Sequence, residues 1–147
     1  MKKKNKIYDL IIIGFGVSGI ALTAKAQESK LDYLVLEKNS KLGGVWFDTN
    51  KNTSLQSEKR FYQFSDFNFP ESSSKFPSKL EVIDYLKSYI KFKCLDQSKI
   101  KFNTIVNTAT FDENQNLWIV NKELKSKYLG CCNGYFSNNK EICKIQN

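Results

Sequence analysis

Three glycines, Gly14, Gly16 and Gly19, stand in the spacing G-x-G-x-x-G between an apolar run and a segment of helical character. In a strand–turn–helix unit, the first glycine permits a tight turn, the second lets the backbone approach a pyrophosphate, and the third lets helix and strand pack closely. The unpaired N–H groups at the start of the helix, and the positive end of its dipole, then attract phosphate groups. The pattern predicts a site that binds the pyrophosphate of a dinucleotide.

Glu37 stands at the end of a second apolar run, about 20 residues after the first glycine, where dinucleotide-binding domains carry an acidic residue. A carboxylate at this position accepts hydrogen bonds from ribose hydroxyl groups and repels a 2′-phosphate. The first nucleotide bound is therefore FAD or NAD, and not NADP. The alternative is that Glu37 is an ordinary solvated charge at a strand end.

Two strands and a helix must position these residues. Residues 7–13 form a β-branched apolar run typical of a strand buried on both faces, and residues 33–36 form a second one. Together they predict a βαβ unit of an α/β, Rossmann-like domain with a parallel sheet. The helix between the strands carries a narrow apolar stripe of mostly small side chains: Val17, Ile20, Ala21 and Ala24.

The second half of the chain predicts one more helix and a small β meander. Ser78 and Glu81 form an S-x-x-E capping box, which marks a helix start. Residues 100–123 follow as strand, turn and strand, with the polar stretch DENQN as the connection and Trp118 packed. The core residues expected on the helix, at helical spacing, are Val82, Tyr85, Leu86, Tyr89 and Ile90.

Size and charge limit the function classes. A chain of 147 residues holds one compact domain with a core, and a complete two-domain enzyme is not expected. The formal net charge is +8, but the lysines are spread along the chain among 15 acidic residues, so we expect no nucleic-acid partner. Residues 1–6 are predicted to be a basic disordered tail. This tail and the apolar run also imitate a secretory signal, although the three glycines at motif spacing argue against that alternative.

The four cysteines show no C-x-x-C spacing, and adjacent Cys131 and Cys132 would pair with each other only under strain. Free thiols in a reducing compartment are therefore expected, and we predict a cytoplasmic protein. The chain has no histidine, so no metal site is expected. No apolar run approaches the ~20 residues of a membrane-spanning helix.

Gly43-Gly44-Val45-Trp46 follows shortly after Glu37. This segment resembles the flavin-containing monooxygenases and related flavoproteins with two dinucleotide sites. In that family it runs beneath the FAD, where paired glycines let the backbone come close. The alternative is a simple turn at the glycines, with Trp46 as a core residue. The resemblance favours FAD over NAD, a choice that Glu37 alone leaves open.

The resemblance continues along most of the chain. Residues 53–70 are similar to the family's stretch ending in Asp-Phe-Pro-Phe-Pro, with Asn68 in place of the first of those prolines. Residues 127–137 resemble its strand ending in Ala-Thr-Gly, with Cys132-Asn133-Gly134 in place of that triplet. We therefore expect a partial FAD-binding domain over residues 7–137 and an unassigned C-terminal tail over residues 138–147.

The resemblance implies an enzyme in which NADPH reduces FAD and oxygen from O₂ is transferred to a nucleophilic nitrogen or sulfur atom. By position, residues 14–18 hold the pyrophosphate, Glu37 holds the ribose, and Gln56 with Ser57 occupies the family's Asn-Ser position beside the flavin. No catalytic residue is assigned. The predicted cofactor-binding residues are Gly14, Phe15, Gly16, Val17, Ser18, Gly19, Glu37, Gly44, Val45, Trp46, Gln56 and Ser57.

The resemblance also implies that parts of the family's machinery are missing. The seven glycines supply one G-x-G-x-x-G only, so the NADPH site is absent from this chain, as is the family's histidine-bearing signature. We expect FAD as a partner and inactivity unless a second polypeptide carries the NADPH domain. The alternative is a non-catalytic module or remnant that binds FAD weakly or not at all. A disulfide reductase is disfavoured, because no cysteine follows the paired glycines.

Overall fold

A six-stranded mixed sheet forms the centre of the structure, a computed structural model that describes residues 6–134. Its strands are β1 (Ile7–Ile13), β2 (Tyr33–Leu36), β3 (Ile100–Lys101), β4 (Ala109–Asp112), β5 (Leu117–Val120) and β6 (Leu124–Cys131). In space they follow the order β3-β2-β1-β6-β5-β4. Strands β3, β2, β1 and β6 are parallel, and β6, β5 and β4 are antiparallel. The predicted α/β class, with a parallel sheet and a small meander, is confirmed.

The register of β1 brings three loops to one edge of the sheet. Ile13, the last residue of β1, lies opposite Leu36 of β2 on one side and Cys131 of β6 on the other. Because parallel strands end together, the segments after β1, β2 and β6 meet at this edge, where open α/β sheets bind ligands. The glycine loop and Glu37 are therefore neighbours by topology.

The helices are α1 (Val17–Glu28), the single turn α2 (Val45–Asp48) and α3 (Lys79–Phe92). Helices α1 and α3 contribute to one continuous core together with side chains of β1 and β2. On α1, Ile20 and Ala24 are buried as expected, whereas Val17 and Ala21 are half-buried. The stripe is wider than predicted, since Gly19, Thr23 and Ala26 are also buried.

Helix α3 begins at the predicted capping box. The Ser78 N–H donates to the Glu81 Oε2 at 2.8 Å, and the Ser78 hydroxyl accepts from the Glu81 N–H at 3.4 Å. The five residues predicted to face the core are all buried: Val82, Tyr85, Leu86, Tyr89 and Ile90. Aromatic rings of the preceding loop pack on them, with Phe69 stacked on Tyr85 at 3.8 Å between ring centroids.

The meander contributes to a second core cluster, which holds Ile11 of β1, Leu34 and Leu36 of β2 and Val120 of β5. The DENQN stretch connects β4 to β5 as predicted, and Trp118 packs edge-on against Phe111 at 5.4 Å. Residues 100–123 were predicted to form two strands, but they form three. Residues 100–101 form the separate strand β3, which pairs in parallel with β2.

Several predictions fall outside or at the border of the described residues. Residues 1–5 of the predicted tail and the whole predicted C-terminal tail lie outside them, as do residues 135–137. Lys6 is described, and its Nζ lies 3.0 Å from the Asp32 Oδ2. Within residues 6–134, no helix is long and apolar enough to cross a membrane. The three cysteines of this range, Cys94, Cys131 and Cys132, are free thiols.

Candidate dinucleotide-binding site

The glycine loop after β1 leaves the start of α1 open. Gly14 has a φ of +96°, and a Cβ there would lie 2.6 Å from the Cys132 carbonyl oxygen. Gly16 is the N-cap of α1 and offers no side chain to cap it. The first backbone bond of the helix runs from the Ile20 N–H to the Gly16 oxygen at 2.9 Å. The N–H groups of residues 17–19 therefore have no acceptor within the helix and are available to an anion.

The paired glycines after β2 lie directly against this loop. The Gly43 N–H donates to the Phe15 oxygen at 3.1 Å. A Cβ on Gly16 would lie 3.2 Å from the Gly44 Cα, and Gly44 has a φ of +55°. Two backbones meet here with no side chain between them, which only glycine permits. The structure thus brings together Gly16 and Gly44, two of the predicted cofactor-binding residues.

Glu37 is buried, with 3% of its surface exposed, and its carboxylate is held by two backbone groups. The Phe15 N–H donates to Oε2 at 2.6 Å, and the Asn39 N–H donates to Oε1 at 2.8 Å. Glu37 is therefore not a solvated charge at a strand end. Since an ionised carboxylate can accept about four hydrogen bonds, it retains capacity for ribose hydroxyl groups.

Asn39, whose N–H is bonded to Glu37, was not predicted from the sequence. Its side-chain Nδ2 is buried and has no hydrogen-bond partner within the described residues. Asn39 lies two positions after Glu37 in the turn that leaves β2, and this position was the only sequence signal that could have drawn attention to it. Such a group is rare in folded proteins, and because this one is buried it is out of reach of solvent.

Cys132 adds a neutral side chain to the same region. Its N–H donates to the Ile13 oxygen at 2.8 Å, so it continues the pairing of β6 along β1. Its Cβ lies 3.6 Å from the place where a Cβ on Gly19 would stand. Burial raises the pKa of the Cys132 thiol, with a smaller contribution from Cys131. The uncharged form of this thiol is thus favoured.

The remaining predicted cofactor-binding residues lie on α2 and in the segment that follows it. Trp46 is buried, and its Nε1 donates to the Tyr62 hydroxyl at 2.6 Å, so it packs in the protein core. Val45 is 67% exposed on α2. Gln56 and Ser57 are exposed, next to Leu55, whose N–H donates to the Pro77 oxygen. Within residues 6–134, no hydrogen bond joins the side chain of Gln56 or Ser57 to the glycine loop.

The residues present fit FAD. Free N–H groups at the start of α1 suit the pyrophosphate, the contact between Gly16 and Gly44 gives the backbone close access, and the Glu37 carboxylate suits a ribose. Within the described residues, no group of three or more His, Cys, Asp or Glu side chains could hold a metal ion.

Comparisons with known proteins agree with a binding site for FAD. The model of the family "Flavin-binding monooxygenase-like" matches residues 6–123. The chain is 32% identical over 123 residues to the probable indole-3-pyruvate monooxygenase YUCCA7 of Arabidopsis thaliana, covering 83% of this chain and 28% of that protein. It is 34% identical over 116 residues to the FAD-binding monooxygenase VdtE of Byssochlamys spectabilis, covering 76% of this chain and 20% of that protein.

Solved structures lead to the same family. The crystal structure of OTEMO in complex with FAD and NADP superposes with a TM-score of 0.78 at 26% identity, covering 86% of this chain and 26% of that one. The chain thus spans about a quarter of the length of the proteins it resembles. The family match covers most of the chain, and the fold and the site agree with it. This chain belongs to the flavin-binding monooxygenase-like family.

Proposed function

We propose that this chain is the FAD-binding portion of a flavin-dependent monooxygenase. The observation that carries the proposal is the backbone contact of Gly16 with Gly44, directly beside the buried Glu37. This arrangement leaves a cradle without side chains at the open start of α1, with a carboxylate beside it for a ribose.

Different residues of the chain bind different parts of the cofactor. The N–H groups of residues 17–19 hold the pyrophosphate, and the Glu37 carboxylate accepts hydrogen bonds from the adenosine ribose. Gly44 lets the dinucleotide pass close to the backbone, and Val45 is exposed on the adjoining turn. Trp46 lines the far side of this turn and holds it in place through its bond to Tyr62. Gln56 and Ser57 lie beside the flavin ring.

When bound, FAD supplies the redox chemistry, in which electrons from NADPH reduce O₂ and one oxygen atom is transferred to a nucleophilic nitrogen or sulfur atom of a substrate. The residues of this chain bind and orient FAD and keep water from it. The NADPH site lies on a further polypeptide segment, a proposal supported by the single G-x-G-x-x-G motif and by the quarter of the relatives' length that this chain covers. The free thiols Cys94, Cys131 and Cys132 support a cytoplasmic location.

A titration with FAD tests the proposal. Purified chain is titrated while flavin fluorescence is followed, for the wild type and for Gly16→Val, whose branched side chain would fill the cradle against Gly44. The control is Thr110→Val, at an exposed position on β4. We expect saturable binding by the wild type and the control and at least tenfold weaker binding by Gly16→Val. Circular dichroism of each variant verifies that it is folded.

The same titration evaluates the alternative. If the folded wild type does not bind FAD, the glycine cradle is only part of the architecture, and the chain is a non-catalytic remnant of the family. If all three proteins bind FAD equally, binding does not use the cradle, and the proposed site is wrong. NADPH oxidation by the pure chain, with oxygenation of a substrate, would contradict the need for a further segment.

A further inference from the structure

Cationic side chains gather around a cavity in the segment between α2 and α3. This basic cavity is open to solvent, has a volume of about 280 Å³ and is lined by Glu58, Lys59, Arg60, Ser73 and Lys75. Three of the lining side chains are positively charged and one is negatively charged, which leaves a net charge of +2. All five residues belong to the range 58–75, so the basic cavity is separate from the glycine loop and from Glu37.

Hydrogen bonds hold the two sides of the basic cavity together. The Lys59 N–H donates to the Lys75 oxygen at 2.9 Å, which joins the two chain segments. The Lys59 ammonium group donates to three backbone oxygens, those of Pro70, Glu71 and Ser73, at 2.9, 3.1 and 2.8 Å. The hydrogens of this ammonium group are thus used within the protein. A ligand would therefore meet a cavity that is already formed, which lowers the entropy cost of binding.

The carboxylate of the lining is shared between two cations. The Glu58 Oε2 lies 3.0 Å from the Arg60 Nε, and the Glu58 Oε1 lies 3.0 Å from the Lys75 Nζ. The hydrogen bond from Lys75 lowers the pKa of Glu58, so its charge persists at neutral pH and offsets only one of the two cations. Within the described residues, the Nη atoms of Arg60 and the hydroxyl of Ser73 make no hydrogen bond. These groups are donors for the oxygen atoms of an anion.

Two exposed aromatic rings border the same cations. The Arg60 guanidinium lies 4.7 Å from the centroid of the Phe61 ring, and the Lys75 Nζ lies 5.7 Å from the centroid of the Phe76 ring. The two phenylalanines are 72% and 46% exposed. An anion with an apolar body would pair with the cations and also cover ring surface that is otherwise in contact with water.

We propose that the basic cavity is a second ligand site, which binds a phosphate group esterified to an apolar or aromatic body. The phosphate oxygens accept hydrogen bonds from the Arg60 Nη groups, the Lys75 ammonium group and the Ser73 hydroxyl. A phosphate monoester carries up to two negative charges and three acceptor oxygens, which match the net charge of the lining and its three donor side chains. This proposal does not depend on FAD binding.

A titration with phenyl phosphate, followed by NMR of the backbone N–H groups, tests the proposal. We expect saturable shifts at residues 58–61 and 73–76. Arg60→Gln and Lys75→Gln should each weaken binding roughly threefold or more, because each removes one charged donor. The matched control is Lys87→Gln, at an exposed lysine of α3 that also pairs with a carboxylate, and it should bind as tightly as the wild type does. Circular dichroism verifies that each variant is folded.

A second measurement identifies the source of the phosphate, because a soluble ester and a phospholipid headgroup share this chemistry. Wild type and Arg60→Gln are sedimented with phosphatidylcholine vesicles that contain or lack phosphatidic acid. Sedimentation that requires phosphatidic acid, and that Arg60→Gln weakens, would support the proposal with a lipid headgroup as the ligand. Binding of phenyl phosphate without sedimentation would support it with a soluble ester.

Three outcomes would overturn the proposal. Equal affinities of all four proteins for phenyl phosphate would mean that the anion responds only to the general positive charge of the chain. Shifts confined to the glycine loop would place the phosphate at the dinucleotide site and leave the basic cavity without a ligand. Binding of phenol as tight as that of phenyl phosphate would show that the rings, and not the cations, attract the ligand.

Discussion

The Phe15 N–H donates to the Glu37 Oε2 across 2.6 Å, which ties the glycine loop after β1 to the end of β2. The carboxylate that we assign to the ribose is therefore also a structural part of the pyrophosphate loop. Cofactor binding and the stability of the fold therefore both depend on the Glu37 side chain. Its contribution to each must be measured separately.

Glu37→Gln should lower the stability of the protein. The amide of glutamine offers one oxygen and one NH₂ group where the carboxylate offers two acceptors, so either the Phe15 or the Asn39 N–H loses its partner. We expect a loss of about 1–3 kcal/mol in the free energy of unfolding, measured by urea denaturation. Glu113→Gln, in the exposed turn between β4 and β5, is the control and should change stability by less than ~0.5 kcal/mol. Equal stability of the two variants would contradict a structural role for the carboxylate.

Gly19→Ala should destabilise the protein even though alanine is a better helix former than glycine. A Cβ at this position would overlap the carbonyl oxygen of Gly14, and backbone atoms cannot move aside cheaply. Overpacking of this kind costs about 1–3 kcal/mol, which we expect as a lower melting temperature. Ser18→Ala, exposed on the same turn of α1, is the matched control and should leave the melting temperature nearly unchanged. A stabilised Gly19→Ala would show that loop and helix are further apart than described.

Tyr62→Phe should weaken the attachment of α2 to the core. The variant removes the hydroxyl that accepts from the Trp46 Nε1, and the indole N–H is then buried without a partner. We expect a loss of about 1–3 kcal/mol in the free energy of unfolding. Tyr128→Phe, on a side chain that is 66% exposed, is the control. In a double-mutant cycle, Tyr62→Phe should lower the free energy of unfolding less in the Trp46→Phe background than in the wild type. Equal losses in both backgrounds would argue against the bond.

The capping box should make stability depend on pH in the acid range. Hydrogen bonds from the Ser78 and Ser74 N–H groups lower the pKa of Glu81 from 4.5 to about 2. Because the folded state binds this proton more weakly than the unfolded state, the stabilisation is complete above pH 4.5 and is lost as the pH falls toward 2. The stability difference between the wild type and Glu81→Gln, from urea denaturation at several pH values, should therefore shrink over this window. A difference that stays constant with pH would contradict the assignment.

Much of the fold could be predicted because its signals are local. The capping box of Ser78 and Glu81 and the apolar spacing after it lie within four helical turns, and the five residues predicted to be buried are buried. The G-x-G-x-x-G motif with Glu37 predicts the βαβ unit, within which Gly19 packs on Gly14, whereas Gly14 and Gly16 meet Cys132 and Gly44 outside it. The DENQN stretch predicted the turn between β4 and β5 from polarity alone.

The remainder depends on partners that are distant in sequence. Strand β3 has two residues, and only its pairing with β2 makes it a strand, so no periodicity could separate it from β4. The buried Glu37 is bonded to Phe15, 22 residues earlier, and the bond of Trp46 to Tyr62 joins α2 to the segment before α3. The unpaired amide of Asn39 is invisible in sequence, since any asparagine in a turn looks the same until its neighbours are placed.

The position of β6 beside β1 has a consequence for the order in which the chain acquires its shape. Asp9 and Lys127, joined by an ion pair across these strands, are 118 residues apart in sequence. Closing so long a loop costs entropy before any contact compensates it, and such distant pairings slow folding. Strands β1 and β2 can pair soon after they leave the ribosome, but Gly14 meets the Cys132 oxygen only after nearly the whole described chain has been synthesised. The contact between the first glycine of the motif and the end of β6 is therefore one of the last parts of the molecule to form, long after Gly16, Glu37 and Gly44 have been synthesised.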